Sequence, residues 1–121
     1  MRIVYKVVRP TEWPDVYHSA TTENADWVVI YKPGMWATPQ PGKEHSLLLC
    51  FGTYEDALKF HNGSLLIFEA EADGFITPMR HLARFWSMRD FWDGELIYQT
   101  TVPPDGTLGA ERVRLTRRIT Q

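Results

Sequence analysis

The chain has 121 residues with 13 basic and 15 acidic side chains, for a formal charge of −2. That is the size of one domain, able to bury roughly two thirds of the surface its unfolded chain exposes. The charge balance excludes the global positive field that non-specific nucleic-acid binding requires, and the single cysteine, Cys50, excludes an internal disulfide or a cysteine-rich zinc site.

From the N-terminus, "MRIVYKVVRP" is rich in β-branched residues over 3–8, which predicts a first strand ending at Arg9 and Pro10. Its apolar run is too short for a signal peptide or a membrane span, so a cytoplasmic location and no membrane partner are expected. Residues 9–26 read as irregular. "WVVIY", residues 27–31, predicts a second strand, and "KPGMWATPQPGKEH" follows with three prolines and two glycines. That composition disfavours helix and sheet alike and predicts a loop with Trp36 at its middle. The continuous apolar run "LLLCF", residues 47–51, predicts a central strand covered on both faces.

The next segment carries the best start signal in the chain. Thr53 can cap a helix, Asp56 stands three residues on, and Tyr54, Ala57, Leu58 and His61 keep helical spacing up to a stop at Gly63. In "SLLIFEAEA", Phe68, Ala70 and Ala72 alternate with Ile67, Glu69 and Glu71, which predicts a strand that starts buried and emerges at a rim. "TPMRHLARFWSMRDFW" offers Thr77 as a cap, Pro78 at the first helical position, and Met79, Leu82, Phe85 and Trp86 at intervals of three and four, predicting a second helix. Residues 96–102 are strand-like and "PPDG" is a turn. In "ERVRLTRRI", Val113, Leu115 and Ile119 alternate with Arg112, Arg114, Thr116 and Arg118, predicting a half-buried strand with an arginine-lined outer face. The sum is one compact α+β domain over 1–121: a twisted, mostly antiparallel or mixed sheet of five or six strands with two helices packed on it.

Candidate chemistry is sparse. His18, His45, His61 and His81 lack the pairing on one helix face that a zinc site uses, so no metal is expected. Cys50 within its apolar run reads as a small core residue with an inert thiol. The arginine face could grip phosphate, but Glu55, Asp56, Glu69, Glu71 and Asp73 offer it an acidic counterpart, which disfavours nucleic acid. Trp36 could be a stacking plate on a loop that closes over a ligand, or a lid folded back on the core.

The order "YKVVRP", "YKPGMW", "LLLCFGTYEDALKF", "LLIFEAEADG" and "GAERVRLTRRI" resembles a group of small phage and bacterial domains, over most of the chain. The middle segment is also similar to the second conserved segment of ADP-ribosyltransferase-like folds. That second resemblance implies Arg9 on a phosphate of NAD, Phe51, Gly52 and Thr53 at the nicotinamide ribose, and Glu111 as the catalytic carboxylate. The Ser-Thr-Ser motif of that family is absent, and no Glu-x-Glu or Gln-x-Glu pair precedes Arg112. Three readings follow. The first is a noncatalytic binding module of phage or bacterial type, without cofactor, taking a protein or nucleotide-like ligand in a cleft near Arg9, Trp36, Thr53 and Glu111. The second is an ADP-ribosyltransferase-like enzyme using NAD. The third is an interaction module exposing Trp13, Trp36 or Trp92 to a protein partner.

Overall fold

A computed structural model describes residues 1–20, 28–39, 47–61, 63–79, 82–85, 98–101 and 106–119. In chain order they form β1 (Arg2–Pro10), β2 (Tyr17–Ser19), β3 (Ile30–Tyr31), β4 (Trp36–Ala37), β5 (Leu48–Phe51), α1 (Tyr54–Phe60), β6 (Leu66–Pro78), β7 (Leu82–Phe85), β8 (Tyr98–Thr101) and β9 (Thr107–Arg118).

The expected α+β arrangement, a sheet with two helices packed on it, is corrected by this architecture: the chain is mostly β, with one helix among the described residues and a small closed barrel. Every pairing is antiparallel. β1 runs along β6 from Arg2 opposite Ala72 to Val8 opposite Leu66. β6 runs along β9, β9 along β5, and β5 returns to β1 through Tyr5 opposite Phe51, which closes the ring. Past Tyr5 the β1 edge changes partner, and β2 takes over from Val8 to Pro10. β3 extends β2, and a tight turn with the Met35 N–H on the Lys32 carbonyl (3.0 Å) leads into β4, which pairs with Val113 and Arg114 of β9.

Two register shifts let the long strands curve around the ring. Thr116 is the extra residue on β9 opposite Glu69 and Ala70, and Gly74 with Phe75 oppose the single residue Glu111. Gly74 has φ +78°, the left-handed region a glycine adopts without steric cost, so this second irregularity is a glycine bulge of the kind that bends a strand. A tight ring has a narrow interior, and the sequence fills it with small groups: Ala70, Ala72 and Ala110 are fully buried with Val4, Val8, Val113 and Leu115. On the outside, α1 covers a second apolar cluster of Val7, Phe51, Ala57, Leu65 and Ile67.

The first helix forms as its signals predict, with the Thr53 side chain accepting from the Asp56 N–H at 3.2 Å. It ends at Phe60, because His61 has extended backbone, and the stop therefore falls before Gly63. The second predicted helix is not formed where it is described: Thr77 and Pro78 finish β6 opposite Gly109 and Leu108, and Leu82–Phe85 pairs with Tyr98–Thr101 as a two-stranded ribbon. Apolar residues at intervals of three and four in so short a window fit either structure, and ladder partners supplied from elsewhere in the chain decide it. The rest of that segment, residues 80, 81 and 86–92, lies outside the described residues. The predicted loop after Tyr31 contains the β4 pairing, and the irregular stretch 9–26 contains β2. No described helix is long and apolar enough to cross a membrane.

Candidate functional site

The six residues expected to share a cleft occupy separate places on the barrel. Arg9 sits half-buried near the end of β1, opposite His18. Phe51, Gly52 and Thr53 lie together where β5 turns into α1, and each has local work. The Phe51 ring packs on Phe60 with centroids 5.5 Å apart, the Gly52 N–H donates to the Gly106 carbonyl at 3.1 Å, and Thr53 caps. Glu111 is exposed on β9, facing the bulge, with its carboxylate lying across Gly74 where any Cβ would overlap it. Trp36 pairs with Arg114, three residues farther along β9. The structure thus brings together Phe51, Gly52 and Thr53, and leaves Arg9, Trp36 and Glu111 apart from them and from one another.

Trp36 belongs to an ordered polar surface. Arg112 reaches Asp73 at 2.5 Å, Arg114 reaches Glu71 at 2.8 Å and Arg117 reaches Glu69 at 3.0 Å, forming three rungs across β6 and β9. The Arg114 and Arg112 guanidinium carbons stand 4.7 and 5.5 Å from the centre of the Trp36 ring. Delocalised guanidinium groups stack well on indole. The ring is therefore already covered by cations that are themselves paired with carboxylates, an arrangement that suits a lid on the sheet better than a plate for a ligand.

A buried lysine is the feature that residue patterns did not single out. Val4, Lys6 and Val8 face the barrel interior together, and Lys6 is only 6% exposed. Its ammonium donates to the Leu49 carbonyl and lies 5.1 Å from the centre of the Tyr31 ring. Burial draws the Lys6 pKa down to about 8, against a smaller opposing effect from Cys50. Burial pushes the Tyr31 phenol up, and it pushes the Cys50 thiol up despite the nearby charges of Lys6 and Arg2. Lys6 stands where one edge of β1 has left β5 and not yet met β2, and its side chain spans that gap to donate to the Leu49 carbonyl.

Among the described residues there is an open cleft of about 420 Å³ just beyond Arg9, whose lining includes Pro10, Trp13, Pro14, Tyr17, Leu66 and Arg118. Trp13 stands at its lip and is 66% exposed. The turn that carries it is fixed by one hydroxyl: Thr11 Oγ1 accepts from the Trp13 N–H at 3.1 Å and donates to the Val16 carbonyl at 2.7 Å. Asp15 completes the turn at φ +57°, a left-handed conformation that aspartate tolerates better than most residues. Tyr17 forms the floor, 8% exposed and edge-on to Phe68 with ring centroids 5.0 Å apart. In the sequence Trp13 stands out only as one of three exposed candidates. The signal that separates it from Trp36 is Thr11, two residues before it, with Pro14 after it, a hydrogen-bonded turn composition.

Among the described residues no three His, Cys, Asp or Glu side chains are placed to hold a metal ion. A scan against family models, a search of curated proteins and a search of solved structures each return no match.

Proposed function

We infer that the chain is a noncatalytic binding module whose working surface is the cleft beside Pro10, and that its ligand is an extended segment of a partner protein. The observation that carries this reading is Trp13, a large apolar ring held out in water by a hydrogen-bonded turn at the lip of an open cleft. An indole left exposed forgoes on the order of 2 kcal/mol of burial, which a partner surface can recover. Trp, Tyr and Arg are the residues that most often dominate protein–protein affinity, and all three line this cleft. Its openness favours a chain segment over a small molecule, since small-molecule sites enclose most of their ligand.

Selection of peptides from a displayed random library against the wild-type chain tests the reading and requires no candidate partner. Selected peptides are expected to bind Trp13→Ala at least tenfold more weakly, with the melting temperature of the variant unchanged. Peptides that bind Trp13→Ala as tightly as wild type would place the binding surface elsewhere. A thermal shift with NAD or ADP-ribose that persists in Trp13→Ala would favour a nucleotide site instead.

A further inference from the structure

The backbone around the Trp13 cleft is a poor template for a partner strand. Strand addition needs a row of free N–H and C=O groups. Pro10 and Pro14 in the lining have no N–H to give, and Pro10 already stands opposite Tyr17 in the ladder of β1 with β2. The Trp13 N–H and the Val16 carbonyl are both engaged by the Thr11 hydroxyl. What the cleft presents instead is side chains: the exposed indole at its lip, the Tyr17 ring at its floor, set edge-on to Phe68, and Leu66 on β6. An extended segment that takes apolar ring contacts and asks for no backbone ladder is a polyproline II helix, which has no internal hydrogen bonds and turns the same face forward every third residue. Charge adds a second constraint. Glu12 and Asp15 sit on the same turn as Trp13, line the cleft and are exposed. Among the described residues no cation pairs with either carboxylate. Arg118, the basic residue of the lining, comes from β9 and is already engaged. The turn side of the cleft therefore sets two uncompensated carboxylates beside its exposed indole.

We propose, resting on the cleft as the working surface, that the partner segment is proline-rich and docks as a polyproline II helix, with proline rings against Trp13 and Tyr17 and a neighbouring arginine or lysine paired with Glu12 and Asp15. The aromatic pair supplies the flat apolar walls that proline rings pack against, and the carboxylates set which flanking residue is accepted. A preformed helix also loses little conformational freedom on docking, which suits an open site that encloses little of its ligand.

The composition of displayed random peptides selected on the wild-type chain tests this. Peptides that depend on Trp13 are expected to be enriched in prolines at intervals of three, with a basic residue beside them. In a synthetic copy of the best-enriched peptide, exchanging the basic residue for glutamine should weaken binding to wild type by roughly threefold, and should change nothing against the double variant Glu12→Gln, Asp15→Asn. Asparagine tolerates the left-handed backbone of residue 15, so the double variant isolates charge. Trp13-dependent peptides with no proline enrichment, or with acidic residues where basic ones are expected, would overturn the proposal while leaving the cleft as the binding surface. An equal loss against the double variant would overturn the pairing with Glu12 and Asp15. Peptides indifferent to Trp13, or a selection that enriches none, would remove the cleft and this proposal with it. The enrichment is read on wild-type protein, so it holds even if a variant fails to fold.

Discussion

Lys6 is the residue at which physical cost and position conflict most. A lysine whose pKa falls to about 8 on folding, from an unfolded value near 10.4, destabilises the native state by roughly 3 kcal/mol at pH 7. The sign follows from proton counting. Between pH 8 and 10.4 the unfolded chain binds more protons at this residue than the folded one, so the Lys6 contribution to stability rises with pH across that window. Cys50 works in the opposite direction, because its raised thiol pKa leaves the folded state holding a proton that the unfolded state sheds. Comparison with Lys6→Met separates the two: the variant should be the more stable below pH 8, and its advantage should shrink as pH approaches 10, read as the difference in urea midpoint. A difference that stays constant with pH would mean that Lys6 is not buried as described. Glu111 and Gly74 form the second instructive pair. Gly74→Ala should cost about 1–3 kcal/mol through its left-handed backbone and the overlap with Glu111, and adding Glu111→Ala should recover the overlap part only, measured by thermal denaturation. Neither position was legible in the chain. Residues 3–8 are apolar on both faces apart from Lys6, so alternation cannot say which way the lysine points.

At the scale of elements, what the sequence reveals depends on whether the signal is local. The cap of α1 is local, and the structure reproduces it. Thr53→Ala should lower stability by about 1 kcal/mol, and the loss should be visible as weakened amide protection in α1, whose Ala57 is fully buried. The rungs between β6 and β9 were legible as composition, three acids on one strand and arginines on another, but their pairing needed the register. They are partly exposed, so each is worth at most about 1 kcal/mol. Arg114→Ala should cost more than Arg117→Ala, because Arg114 is the more buried and also covers Trp36. The predicted second helix failed for the opposite reason. Its spacing was local, whereas the ladder joining Leu82–Phe85 to Tyr98–Thr101 is not.

For the whole molecule, ring closure was beyond the reach of periodicity. Alternation marked β6 and β9, and composition marked β1, β3, β5 and β8, but closure depends on two register shifts and on the single Tyr5 to Phe51 pairing, none of which leaves a repeating pattern. The small residues carry the one hint: Ala70, Ala72 and Ala110 suit a narrow interior, where an open sheet under helices would take larger groups. Enlarging one of them, as in Ala70→Leu, should overpack the barrel and cost on the order of 1–3 kcal/mol or more. The Thr11 turn holds Trp13 outward at the lip of the cleft, and the pairing of β4 with β9 keeps Trp36 under its arginines. The most direct measurement of the binding account is therefore a fluorine NMR titration of protein carrying 5-fluorotryptophan at its five Trp positions, with a library-selected peptide as the probe. The resonance lost in Trp13→Phe should shift on titration while the Trp36 resonance stays in place. A shift at Trp36 with Trp13 unmoved would contradict it.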